Sequence, residues 1–177
     1  MRIVGGTWAG RQLTSPGKRV RPTAEEVRVG WLTAVDDRLA GARVLDLFSG
    51  SGALGLEALS RGARSADFVE NGPEALHALK ANLAALKARR TRVFKKDAIP
   101  FVEALGAGSY DLAFADPPYG SGKLDRIVRQ WRTVPFAAVL GVEHARDHDV
   151  PPGGRRLDFG ETSVTLYGLP GPGHEKR

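Results

Sequence analysis

The sequence predicts an α/β fold: a mostly parallel seven-stranded sheet with helices on both faces, a C-terminal antiparallel hairpin and a small N-terminal β-hairpin arm. Three observations predict it. From Arg43 onward, short runs rich in Val, Leu, Phe and Ala alternate with helical runs, the rhythm of parallel strands joined by right-handed crossovers. The first strand breaks into a glycine-rich turn that opens a helix, Gly50-Ser51-Gly52-Ala53-Leu54-Gly55. The last two strand-like runs have no helix between them, and so return as a hairpin.

Taken in order, residues 2–13 alternate around Gly5-Gly6 and Trp8-Ala9-Gly10, with Ile3, Val4 and Leu13 as apolar contacts; they read as the hairpin. Residues 14–21 hold Ser, Pro, Gly and three basic side chains, and read as a loop or arm. Thr23-Ala24-Glu25-Glu26 has capping-box spacing, and Val27, Trp31, Leu32 and Val35 give the next helix an apolar face. Strands are predicted near 43–48, 66–70, 91–95 and 111–115, alternating with helices near 53–61, 73–88, 98–105 and 122–132. Asn71 reads as the N-cap of the helix led by Pro73. Strand-like runs at 137–143, 155–159 and 163–168 complete the sheet. The expected organisation is a basic arm over 1–21, one main domain over 22–169 and a frayed tail over 170–177.

A chain of 177 residues that is 42% hydrophobic and 26% charged has the size and composition of one soluble domain. It contains no cysteine, which excludes disulfides, thiolate nucleophiles and cysteine-ligated metal, and no metal is expected. No apolar run reaches bilayer length and the opening residues lack the apolar stretch of a signal peptide, so a cytoplasmic location is expected, without membrane contact. The balance of 26 Lys and Arg against 20 Asp and Glu gives a net charge of +6, which favours a polyanionic partner. The excess is clustered. Arg2, Arg11, Lys18, Arg19, Arg21 and Arg28 face only Glu25 and Glu26 in the first 28 residues, and Lys80, Lys87, Arg89, Arg90, Arg92, Lys95 and Lys96 form a second group.

Asp46, four residues before Gly50, suits a cationic ligand, whereas a pyrophosphate beside it would be repelled. This points from a nicotinamide dinucleotide toward S-adenosylmethionine, whose ammonium and sulfonium are both positive. Glu70 ends the second strand, 18 residues after Gly52, where a carboxylate accepts ribose hydroxyls in either kind of enzyme. Asp97 follows the third strand, as an acceptor for an adenine amino group or as an ordinary N-cap; the sequence fits both equally. The expected cofactor-binding residues are Asp46, Gly50, Gly52, Glu70 and Asp97.

Asp116-Pro117-Pro118-Tyr119 ends the apolar fourth strand. An aromatic exocyclic amine is a poor nucleophile because its lone pair is delocalised into the ring. Two acceptors aimed at its two hydrogens pull the nitrogen toward tetrahedral geometry, and the Asp116 carboxylate with the Pro117 carbonyl offers such a pair. Consecutive prolines fix the direction of that carbonyl. Tyr119 offers a flat face for an extruded base. Asp116, Pro117 and Tyr119 are therefore the expected catalytic residues; the competing reading is a rigid turn with a surface tyrosine.

Together, residues 46–55, Glu70, Asp97 and 116–119 resemble the successive motifs of class I S-adenosylmethionine-dependent methyltransferases, whose fold is Rossmann-like. Met1-Arg2-Ile3-Val4-Gly5-Gly6, then Arg21-Pro22-Thr23 with Val27-Arg28, then Asp46 through Ala58, and finally Gly160-Glu161-Thr162 with Leu166-Tyr167 resemble the RsmD family. That resemblance spans residues 1–168 and implies a bacterial enzyme that methylates guanine N2 in 16S rRNA of the small ribosomal subunit. It implies that Arg2, Arg11, Arg21 and Arg28 hold RNA phosphates. The chain has room only for a short arm, which favours an assembled particle as substrate, and a monomer is expected. The chain departs from the family after Arg28, where Val29-Gly30-Trp31-Leu32 puts a helix-weakening glycine inside the helix. The alternatives are an adenine-N6 DNA or glutamine-N5 protein methyltransferase, and an RNA-binding assembly factor without catalysis.

Overall fold

The fold is seen in a computed structural model that describes residues 1–17 and 23–169. Parallel strands β1 (Arg43–Leu47), β2 (Ser65–Val69), β3 (Thr91–Phe94), β4 (Tyr110–Ala115) and β5 (Ala137–Ala145) are followed by antiparallel β6 (Arg155–Phe159) and β7 (Thr162–Tyr167). Between them run α1 (Glu25–Ala34), α2 (Ala53–Ser60), α3 (Pro73–Ala85), α4 (Ala98–Glu103) and α5 (Lys123–Thr133). The sheet order is β3-β2-β1-β4-β5-β7-β6, so the chain reverses direction across the sheet between β1 and β4. Ligands of open α/β sheets bind at the carboxyl ends of the strands beside such a reversal. The expected fold class stands, and each expected strand and helix is present within a few residues.

The central strands are apolar on both sides because both sides are covered. Val44, Leu112, Phe114 and Val139 pack with Trp31, Leu56 and Leu79 on the side of α1, α2 and α3. Their chain neighbours Leu45, Ala113, Ala115 and Leu140 pack with Ile99, Ile127 and Val128 on the side of α4 and α5. This alternation also sets where the strand-end acids point. Asp46 pairs in register with both Phe68 and Phe114, residues of the first side, and two residues on Glu70 and Asp116 have the same parity.

The N-terminal segment is an irregular hairpin. One antiparallel bridge joins Arg2 to Gln12, with a 3-10 turn over Gly6–Trp8 between them. Ile3 and Leu13 enter the core, and the Val4 and Gly5 N–H groups donate to the buried Glu57 carboxylate at 2.6–3.0 Å. Asn82 anchors the far end by exchanging hydrogen bonds with the Thr14 backbone, and also donates to the Ser51 carbonyl in the glycine turn.

Three local expectations are corrected. The N-cap of α1 is Ala24 without a side-chain bond, because the Thr23 hydroxyl is engaged elsewhere. The N-cap of α3 is Gly72 rather than Asn71, and the Gly72 N–H donates to Glu70. Gly30 is no weakness in α1: a Cβ there would lie 2.3 Å from the Phe159 ring, so glycine is what lets β6 close against the helix. Next to it, Trp31 is fully buried against Gly141 and edge-on to Phe114, at 5.4 Å between ring centroids. Burying an indole of that size stabilises the fold by roughly 3 kcal/mol.

Candidate active site

A cavity of about 630 Å³ opens at the carboxyl ends of β1, β2 and β4, beside the reversal of strand order. Its walls include Asp46, Phe48 and Gly50 from the first strand and turn, Glu70 and Asn71 from the second, and Asp116, Pro117, Pro118 and Tyr119 from the fourth. The volume is that of a pocket for a ligand of nucleoside-amino-acid size.

The glycine-turn wall is held by backbone donors. Glu70 receives the Gly50 N–H on Oε2 at 2.9 Å and the Asn71 and Gly72 N–H groups on Oε1 at 2.9 and 2.8 Å. Asp46 is 2% exposed, and its Oδ2 accepts from the Gly55 N–H at 2.9 Å. Burial holds the Asp46 carboxyl well above the usual carboxylate range; the Gly55 bond opposes that, and the charges of Asp116 and Glu70 reinforce it. Three acids around one cavity produce a field that a cationic group relieves. Phe48, between Asp46 and Gly50, takes φ +55°, a conformation a bulky side chain rarely adopts, and so stores strain at the cavity wall. Lys123 stands 5.6 Å from the Phe48 ring centroid.

The opposite wall is the Asp116–Tyr119 corner. The Asp116 N–H continues the sheet toward the Leu47 carbonyl, which brings the corner up against the glycine turn. Pro117 is buried, whereas Tyr119 is 44% exposed, the largest apolar side chain left open among the described residues. The Tyr119 hydroxyl lies 3.2 Å from Thr162 Oγ1 and 3.4 Å from Glu143 Oε1. The Thr23 hydroxyl donates to Asp116 Oδ2 at 3.0 Å. Sequence reasoning gave no site role to Thr23, Phe48, Lys123 or Glu143, all of which line the cavity. For Glu143 a signal existed: it is an acid closing a long apolar run, at the end of the strand where ligands gather.

The expected site residues therefore divide. Asp46, Gly50, Glu70, Asp116, Pro117 and Tyr119 share the cavity; Gly52 and Asp97 are not among its lining residues. Gly52 adopts φ +80°, and a Cβ on it would meet the Leu79 side chain at 2.4 Å, so its glycine serves the turn and the packing of α3. Asp97 is the N-cap of α4: its Oδ1 accepts from the Ile99 N–H at 3.0 Å, and its Oδ2 lies 3.5 Å from Lys123 Nζ. The Ile99 bond, aided by Lys123, lowers its pKa against slight desolvation.

Among the arginines, Arg2 is exposed and paired with Glu25, and Arg11 is exposed with one donor on the Ala85 carbonyl at 2.9 Å. That bond seats Arg11 at the end of α3, which lies between Lys80 and Lys87 of the second basic group. Arg21 lies outside the described residues. Arg28 is a correction. It is 1% exposed and donates to the Thr23 and Arg2 carbonyls, so it ties the hairpin to α1 and is not placed to meet a phosphate. Its burial lowers the guanidinium pKa. His144 is likewise structural, buried and bonded to Thr165 Oγ1 and the Ala145 carbonyl.

Comparison with known proteins decides the family. A family model described as conserved hypothetical protein 95 matches residues 1–167. The chain belongs to that family, the RsmD family. This RsmD-family chain is 42% identical over 134 residues to ribosomal RNA small subunit methyltransferase D of Escherichia coli K12, covering 72% of this chain. The match takes in 65% of that relative, just under two thirds of its length. YlbH of Bacillus subtilis is 31% identical over 180 residues, 94% of this chain and 98% of the relative. Of solved structures, the yhhF protein of E. coli is similar with a TM-score of 0.81 at 35% identity, covering 94% of this chain and 96% of that one. A hypothetical protein of Thermus thermophilus gives 0.82 at 30% identity, with 96% and 99% covered.

Proposed function

We propose that the chain methylates the exocyclic N2 of a guanine in 16S rRNA, in the assembled small ribosomal subunit of the cytoplasm, with S-adenosylmethionine as methyl donor. The observation that carries this reading is that the glycine turn and the Asp116–Tyr119 corner face one cavity ringed by Asp46, Glu70 and Asp116. The name of the E. coli relative supports the ribosomal RNA as acceptor. Among the described residues no group of three or more metal-ligating side chains is present, and no helix is long and apolar enough to cross a membrane.

The donor set fits S-adenosylmethionine: Asp46 would offset its positive methionine end, and Glu70 would accept the ribose hydroxyls. When bound, it supplies an electrophilic methyl on sulfur, which leaves as the neutral thioether once the methyl passes to nitrogen. The protein's part is to prepare the amine. The Asp116 carboxylate and Pro117 carbonyl accept the two N2 hydrogens and so localise the nitrogen lone pair, and Asp116 receives the proton that the methylated nitrogen sheds. The Tyr119 ring carries the extruded base. Holding acceptor nitrogen and donor methyl in line supplies several orders of magnitude by itself. Arg2, Arg11 and Arg21, with the second basic group, hold phosphates and fix the register of the RNA.

The test is transfer of labelled methyl to small subunits that lack the modification, beside naked rRNA and duplex DNA. Label in a small-subunit guanine is expected; label confined to DNA would overturn the RNA assignment. Asp116→Ala should reduce transfer by about three orders of magnitude while cofactor affinity, read by calorimetry, stays within about threefold. Undiminished transfer by that variant would remove Asp116 from the chemistry.

A further inference from the structure

Glu143 is a buried acid for which the chemistry above has no use. It is 5% exposed near the end of β5 and lines the same cavity as Asp116. The parallel register pairs Ala115 with Val142, so the next position along sets Asp116 beside Glu143 at strand spacing, about 4.8 Å. Side-chain parity agrees. Val142 packs on the side of α4 and α5, whereas Gly141 meets Trp31 on the other, and Glu143 shares the parity of Gly141 and Asp116. The Tyr119 hydroxyl lies 3.4 Å from Glu143 Oε1, so this acid stands at the rim of the ring proposed to carry the base.

The acceptor wall thus presents two neighbouring carboxylates. A ligand edge suits such a wall when it brings donors and is penalised when it brings acceptors. Base edges differ in what they offer to such a pair. On guanine, the N2 amine sits next to N1–H, two donors side by side. On adenine the N6 amine is flanked by the N1 lone pair, and on cytosine the N4 amine by the N3 lone pair, so a carboxylate there meets another acceptor.

We infer that Glu143 is the specificity-determining residue for the acceptor base: its carboxylate accepts guanine N1–H while Asp116 accepts from the N2 amine. The inference rests on the methyl-transfer reading above and deepens it. It gives guanine a reason that is independent of any relative, and it disfavours the adenine-N6 alternative. A charge-assisted bond of this kind discriminates by about 10- to 100-fold.

The experiment compares reconstituted small subunits carrying either guanine or 2-aminopurine at the target position. The analogue keeps the 2-amino group, replaces N1–H with a lone pair and carries hydrogen in place of O6, so the change of the ratio in a Glu143 variant is what isolates the N1–H contact. Wild-type kcat/KM is expected to fall by about 10- to 100-fold on 2-aminopurine, and Glu143→Gln, which offers guanine N1–H only a neutral oxygen and can turn its NH2 to the analogue's lone pair, is expected to shrink that ratio to within about threefold. The ratio is internal to each variant and so is insensitive to how much of the protein is folded; melting curves and cofactor binding verify the variant. A wild-type enzyme that treats both bases alike overturns the inference whatever the variant does, as does an unchanged ratio in Glu143→Gln. Transfer to neither base by the wild type would instead sink the methyl-transfer reading.

Discussion

The two walls of the cavity are built in different ways. On the glycine-turn side, each carboxylate is held by backbone N–H groups no more than 20 residues away: Asp46 by a residue 9 positions away, Glu70 by residues 1, 2 and 20 away. On the acceptor side the holding contacts are between side chains and reach further, with Asp116 bonded to Thr23 across 93 residues and Tyr119 to Glu143 and Thr162 across 24 and 43. The first wall is complete once two neighbouring strands, the glycine turn and the start of α2 have formed. The second requires the N-terminal hairpin to be docked, because the Thr23 carbonyl hangs from Arg28, which also holds the Arg2 carbonyl. Cofactor affinity should therefore follow the turn, and transfer should follow the arm.

The largest expected effect is on the turn wall. Gly52→Ala places a Cβ 2.4 Å from the Leu79 side chain at φ +80°, combining overpacking with left-handed strain. Together these cost about 2–4 kcal/mol. Denaturant melts should show a loss of that size, and cofactor affinity should fall with it. A variant of wild-type stability that binds cofactor normally would mean that the turn is looser than its contacts imply.

A smaller effect is expected on the acceptor wall. Thr23→Val removes the hydroxyl bonded to Asp116 but keeps the carbonyl that Arg28 holds, so the hairpin should stay docked. Losing one hydrogen bond to a charged acceptor corresponds to about a tenfold fall in kcat. Cofactor affinity should be unchanged, and Thr23→Ser should restore kcat to within about threefold. Equal losses in the Val and Ser variants would assign Thr23 a packing role and uncouple the arm from Asp116.

The same contrast decides what the sequence made legible. Strand and helix alternation, the glycine turn and the Asp116–Tyr119 corner are local patterns, and each is found where it was expected. What stayed hidden depends on partners far along the chain. Gly30 looks like a flaw in α1 until Phe159 is brought against it. Thr23 has the spacing of a cap, and only the folded chain shows its hydroxyl on Asp116. Arg28 is different, because a signal was present: it lies four residues before Leu32 and seven before Val35, inside the apolar stripe of α1. The family resemblance assigned it a phosphate, whereas its helical spacing puts it in the core.

The smallest effect is one of pH. Burial, with Asp116 and Glu70 nearby, raises the folded-state pKa of Asp46 above its unfolded value. A carboxyl shifted in that direction binds more protons folded than unfolded, so its contribution to stability is full at low pH and is lost as pH rises through the raised value. Asp46→Asn carries no charge at any pH, and its side-chain oxygen can still accept the Gly55 N–H. At neutral pH and without cofactor the variant should melt above the wild type, with the gap closing on acidification. It should also bind S-adenosylmethionine more weakly, because the charge that strains the empty wall is the charge that would meet the cationic ligand. Greater stability joined to weaker binding would mark Asp46 as a residue kept for its ligand, whereas a variant less stable than wild type at neutral pH would show that its charge is already compensated within the fold.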